Sequence, residues 1–218
     1  MLKRRQPQIY SRAEYISDAV VHVSGLTLAL IAAPVLITLT AVWIGDNRAI
    51  TAVSIYAITL IGMLLCSALY NMIRNTHWTD RLRRLDQSAI YMKIAGTYTP
   101  FLMLTSTKAG WILAAIWLMA LAGAALIIFA RQHLLYIAIA LYLGLGWIGV
   151  FFWGQALSGL SPTALVLVIT SGILYSCSVI FLVWERLPHH VTIWHIFVLV
   201  ATATAYAAIM VELVRVST

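Results

Sequence analysis

The sequence predicts an all-α protein, a bundle of seven transmembrane helices with its N-terminus in the cytoplasm and its C-terminus outside. Three observations predict it. Of 218 residues, 62% are hydrophobic and only 10% charged, against about a quarter charged in ordinary soluble domains. The apolar residues fall into seven long continuous runs rather than into short alternating strands, which excludes a membrane barrel. The connections between runs are short and polar, and the basic residues gather on alternate ones.

A spanning helix needs about 20 mostly apolar residues. The runs are roughly Ala19–Ile44, Ala49–Met72, Ser88–Leu104, Trp111–Ala130, Leu134–Trp153, Thr163–Trp184 and Val191–Leu213. Turn residues separate them, for example Gly45-Asp46-Asn47-Arg48 and Ser158-Gly159-Leu160-Ser161-Pro162. The chain divides into a cytoplasmic N-terminal segment (1–18), a seven-helix transmembrane domain (19–213) and a C-terminal tail (214–218). The first 17 residues are basic and polar with no apolar signal region, so the first apolar run itself would direct insertion.

Lys and Arg number 14. Ten lie on the N-terminal side of the predicted membrane, three, Arg48, Lys108 and Arg215, on the other, and Lys93 lies inside the third run. That bias sets the orientation. The formal net charge of +7 therefore reflects membrane topology, and no nucleic-acid motif accompanies it. The basic stretch Arg74–Arg84 suits anionic lipid head groups. Cys66 and Cys177 both lie inside apolar runs and read as packing residues.

Polar residues inside a membrane are costly and mark function by default. Glu14, Asp18 and His22 are spaced by four and form one face entering the first helix. Ser67 and Asn71 are one turn apart at the end of the second. Asp86 and Gln87 open the third, and His189, His190 and His195 sit at the start of the seventh. All belong to the predicted inner end. Other roles stay open: first-turn acids, an interfacial His22 satisfied by Asp18, a helix cap at Asp86 or its pairing with Arg83 or Arg84. His189 and His190, after Pro188, read as loop residues. Lys93, two turns inside the third helix, snorkels to the inner interface or pairs with Asp86 on the same face. Pro100 should kink that helix, with neighbouring threonines satisfying freed carbonyls. Gly144, Gly146 and Gly149 allow close approach of the fifth helix.

The run Leu85-Asp86-Gln87-Ser88-Ala89-Ile90-Tyr91-Met92-Lys93-Ile94-Ala95-Gly96-Thr97-Tyr98-Thr99-Pro100-Phe101 closely resembles the third-helix signature of the hemolysin III family. That family is a bacterial membrane-homeostasis branch of the progestin and adiponectin receptors. Ser67-Ala68-Leu69-Tyr70, the placement of Glu14, His22 and Gly25, Gly172-Ile173-Leu174-Tyr175-Ser176, and Ile193-Trp194-His195 resemble its other motifs. The resemblance implies a multi-pass protein of the bacterial inner membrane. It also implies a zinc site near the inner leaflet: three histidines, assisted by an aspartate and a serine, with the chemistry of a zinc-dependent lipid amidohydrolase, as in ceramidases.

This chain departs from that pattern at the metal. Asn71 stands at the second-helix histidine position and Val191 at the first of two in the seventh; only His195 remains, and position 87 is Gln where relatives commonly carry His. His190 is one residue out of register, about 100° around the helix. Zinc needs at least three good protein ligands, so the sequence weighs against tight zinc binding. The alternative metal set is His22, Asp86 and His195. Catalytic candidates are Asp86 and Ser67, and the wider polar cluster is Glu14, Asp18, His22, Ser67, Asn71, Asp86, Gln87, Lys93, His190 and His195. The expected function is membrane homeostasis, with membrane lipids as partners and a lipid or small-molecule ligand. The alternatives are the zinc-dependent lipid amidohydrolase and a receptor or ion channel. Whether the chain is an enzyme stays open, because the implied metal site looks degenerate.

Overall fold

The computed structural model describes residues 11–73, 77–105, 110–129, 135–151 and 158–218. Those residues form seven α-helices: α1 (Arg12–Trp43), α2 (Asn47–Met72), α3 (Thr79–Thr105), α4 (Gly110–Phe129), α5 (Leu135–Phe151), α6 (Pro162–Val183) and α7 (His190–Ser217). The seven-helix bundle predicted from the apolar runs is what the chain forms. Among the described residues, five of these helices (α1, α2, α4, α6 and α7) are long and apolar enough to cross a membrane by length and composition. The apolar side chains turned outward, such as Val42 at 73% and Ile58 at 69% exposure, are those a bilayer would cover.

Helix ends follow local chemistry. Ser11 and Glu14 form a reciprocal capping box that opens α1. Gly45 adopts a positive φ of 67°, a conformation a residue without Cβ tolerates, and Asp46 then caps α2 by accepting from Ala49 N. Ser161 caps α6 with Pro162 in its first turn.

Several boundaries differ from the apolar runs. Helix α1 begins at Arg12, because the capping box starts it before the apolar stretch does. Helix α3 begins at Thr79, so Asp86 lies two turns inside it and is not a cap. Helix α7 begins at His190, preceded by His189 in the left-handed region at φ 58°. His190 is therefore a buried helical residue, not a loop residue, and its Nδ1 lies 3.0 Å from the Phe181 carbonyl.

The helices close a ring in which α1 packs on α2 and α7, and α6 packs on α5 and α7. Helix α3 touches α2, α4, α5 and α7 and so sits nearest the centre. Its contact with α2 depends on Gly96: a Cβ there would lie 1.9 Å from Thr59 Oγ1. Gly25 plays the same part where α1 meets α7, since a Cβ would stand 2.7 Å from a Leu199 methyl. Of the three α5 glycines, only Gly149 is tightly approached, by Tyr98; Gly144 and Gly146 meet nothing within 4 Å. Tyr98 instead ties α3 to α5 by donating to the Gly146 carbonyl at 2.6 Å and accepting from Gly149 N at 3.1 Å. Helix α3 runs on through Pro100. Thr97 and Thr99 bond back to the Lys93 and Ala95 carbonyls, flanking the Gly96 carbonyl that Pro100 leaves without a donor.

Candidate functional site

The ring brings together the starts of α1, α3 and α7 and the end of α2. Asp18 and His22, one turn apart on α1, are 4% and 6% exposed, and His195 on α7 is 6% exposed. The His195 Nδ1 lies 2.9 Å from Asp18 Oδ1. The His22 Nδ1 lies 2.7 Å from the Asp18 carbonyl and 3.6 Å from its Oδ1. One aspartate thus engages the same nitrogen of both imidazoles, an arrangement that fixes ring orientation and leaves the opposite nitrogens free for other partners.

Those opposite nitrogens converge. His22 Nε2 is 3.3 Å and His195 Nε2 3.5 Å from the Ser67 hydroxyl. The rings meet edge to face with centroids 4.2 Å apart. Asn71, one turn beyond Ser67, donates to the Ser67 carbonyl at 2.9 Å, and its amide nitrogen stands 3.3 Å from His22 Nε2. Asp86, 6% exposed, turns inward from α3 and lies beside Ser67 on the wall of the same cavity. The neighbouring arginines take other partners: Arg83 pairs with Asp80 at 2.9 Å and Arg84 donates to the Ile128 carbonyl at 2.5 Å.

Within the described residues, the His and carboxylate groups that could jointly hold a metal ion are Asp18, His22 and His195, with ligand atoms all within 4.8 Å of one another. Two of these belong to the set His22, Asp86 and His195 expected from sequence. Asp86 approaches from the Ser67 side, whereas Asp18 lies behind the imidazoles. The donor set, two imidazoles and a carboxylate, is chemically that of a zinc site with three protein ligands. Asn71, where the resemblance implies a third histidine, makes amide hydrogen bonds instead.

The remaining candidates lie elsewhere. Glu14 accepts from Ser11 N at 2.9 Å and from His189 N at 3.2 Å, stitching α1 to the start of α7. Gln87 is half-buried, one position past Asp86 and rotated by about 100°. Lys93 neither snorkels nor pairs with Asp86. It is 3% exposed, and its Nζ donates to the Tyr175 hydroxyl of α6.

A cavity runs from this cluster into the bundle. His22, Ser67, Asp86 and His195 line one end, Lys93 and Tyr175 lie along it, and its walls are otherwise largely apolar, drawn from α1, α2, α3, α5, α6 and α7. Asp18 does not reach the cavity wall, which agrees with its position behind the histidines.

One ionisable residue escaped the sequence reading altogether. Glu212, in the last apolar run, is completely buried. It accepts from Ser161 N at 2.7 Å and from Arg215 at 2.6 and 2.8 Å, while Arg215 also donates to the Gly159 carbonyl. An acid inside an apolar helix was the available signal. Its role is a clamp holding the start of α6 against α7, at the end of the bundle away from the histidines.

Comparison with known proteins agrees with the geometry. The family profile described as HlyIII, Haemolysin-III related, matches residues 12–206. The hemolysin-3 homolog of Bacillus subtilis (strain 168) is 32% identical over 210 residues, covering 95% of this chain and 98% of the relative. Hemolysin-3 of Bacillus cereus is 34% identical over 199 residues, covering 90% of each. An all-helical membrane bundle with a buried aspartate–histidine cluster, matched to this profile over nearly its whole length, belongs to the haemolysin-III related family.

Proposed function

We infer that this protein acts in membrane homeostasis by holding a lipid chain in the cavity, with the polar cluster closing the cavity's inner end. The observation that carries this reading is the lining itself: His22, Ser67, Asp86 and His195 at one end and apolar walls from six helices beyond. Largely apolar cavities with a few convergent polar groups are the usual form of a small-molecule site. The N-terminus faces the cytoplasm in this proposal, as the ten-to-three distribution of basic residues favours, and the setting is a bacterial inner membrane. Lipid extracted from protein purified in nanodiscs should be enriched in one chain class over the bulk lipid. A deletion strain should show altered membrane fluidity under cold or solvent stress. No enrichment together with unchanged fluidity would refute the reading.

A zinc-dependent lipid amidohydrolase is a second reading, favoured by the convergence of His22 Nε2 and His195 Nε2 on Ser67 beside Asp86. His22 and His195, with Asp86 as the carboxylate on the cavity side, would hold the ion. Bound zinc supplies an activated water and polarises a carbonyl. Asp18 would orient the imidazoles, and Ser67 would hydrogen-bond a substrate oxygen at the cavity end. Zinc quantified in protein purified without chelator, and its loss in His195→Ala, tests the metal. Metal-free wild-type protein that takes up no added zinc removes this reading.

A further inference from the structure

The cavity holds a second polar centre that neither the cluster nor a metal uses. Along α3, Lys93 lies seven residues from Asp86, about 10 Å deeper into the bundle. Its amine meets the Tyr175 hydroxyl, and that hydroxyl lies 2.6 Å from Thr202 Oγ1 on α7. Among the described residues, no carboxylate lies within ion-pairing distance of Lys93.

This is an imbalance of donors. An ammonium has three N–H donors and no acceptor capacity, and the amine meets a single tyrosine, through its hydroxyl and the face of its ring at 4.3 Å, which leaves room for an anionic acceptor. A cation on a membrane helix almost always finds an anionic partner or backbone carbonyls. Here Lys93 faces a cavity walled by such residues as Ile94, Phe101, Val168 and Leu199. The space therefore suits a molecule that is apolar along its length and carries one negative charge.

We propose that Lys93 and Tyr175, whose hydroxyl Thr202 holds from behind, form an anchor for the carboxylate of a single-chain lipid, so that the cavity selects a free fatty acid over its neutral counterparts. The inference rests on the lipid-holding reading of the cavity and adds the charge of the occupant and its point of attachment. An ion-paired, hydrogen-bonded carboxylate would favour the acid about ten- to a hundredfold over an ester of equal chain length.

The indoles of Trp147 and Trp194 line the same cavity and provide a readout. Tryptophan fluorescence of the purified protein in phosphatidylcholine nanodiscs is titrated with a brominated stearate and, separately, with its methyl ester. Saturable quenching by the acid at ten- to a hundredfold lower concentration than by the ester is expected. Lys93→Met should erase the preference while leaving the ester curve in place, which also shows that the variant is folded; Lys93→Arg should retain part of it. Equal curves for acid and ester in the wild type, or a preference that survives Lys93→Met, overturn the proposal and leave the lipid reading standing. Absence of saturable quenching by either compound overturns both.

Discussion

Removing the aspartate behind the two histidines isolates the contact on which the cluster's geometry depends. Asp18 Oδ1 is 2.9 Å from His195 Nδ1, and both side chains are more than nine-tenths buried. Water therefore cannot take the place of either partner easily. A hydrogen bond to a charged group contributes about 1.5–3 kcal/mol, and leaving a buried partner unsatisfied costs about 1–3 kcal/mol. Asp18→Ala should accordingly destabilise the bundle by about 2–3 kcal/mol, with His195→Ala costing about as much. The double variant should cost less than the sum, with a coupling of about 1.5–3 kcal/mol. Asp18→Asn keeps an acceptor at the same place and should fall between. The assay is reversible unfolding in mixed detergent micelles, followed by circular dichroism, for the four members of the cycle. If zinc binds, the same pair predicts a ten- to hundredfold loss of affinity in Asp18→Asn, the usual effect of a residue that orients a metal-binding imidazole. Additivity within about 0.5 kcal/mol would refute the argument, because independent residues cannot be holding one another in place.

Three other outcomes follow from the packing. Glu212→Ala should destabilise by about 1–3 kcal/mol, since it leaves the Ser161 amide without its acceptor while the exposed Arg215 turns to water; Glu212→Gln should cost less. Thermal unfolding in detergent checks both, and an unperturbed Glu212→Ala would show the clamp to be idle. Gly96→Ala should cost about 1–3 kcal/mol by overpacking against Thr59, and adding Thr59→Ala should recover part of that in the same assay. No rescue would mean that α2 and α3 meet differently. Tyr98→Phe removes two hydrogen bonds between α3 and α5 and should cost about 1–2 kcal/mol, measured by the detergent midpoint; a change below about 0.3 kcal/mol would count against the bridge.

Much of the fold is written locally. Continuous apolar runs, Ser11 with Glu14, Gly45 before Asp46, and Ser161 before Pro162 name the helices and several of their ends, because a bilayer leaves a backbone few ways to satisfy its own hydrogen bonds. Alternation of the hairpins also implies that Asp18, Ser67, Asp86 and His195 share one end of the bundle. Pairing is another matter. The sequence alone offers Lys93 either Asp86 or the interface, yet helix rotation carries it to Tyr175; Asp86 is offered arginines and lies beside Ser67. Glu212 looks like an isolated acid until α6 and α7 are laid side by side. Periodicity states which residues share a face of one helix, but not which face of the neighbouring helix it meets. That choice rests on side-chain shape, on the Cβ that Gly96 and Gly25 lack, and on contacts between residues as far apart as Asp18 and His195. The chain by itself therefore settled the membrane, the helices and the polar end. Only the assembled bundle decided that one aspartate would stand behind two imidazoles, because that juxtaposition exists nowhere along the chain.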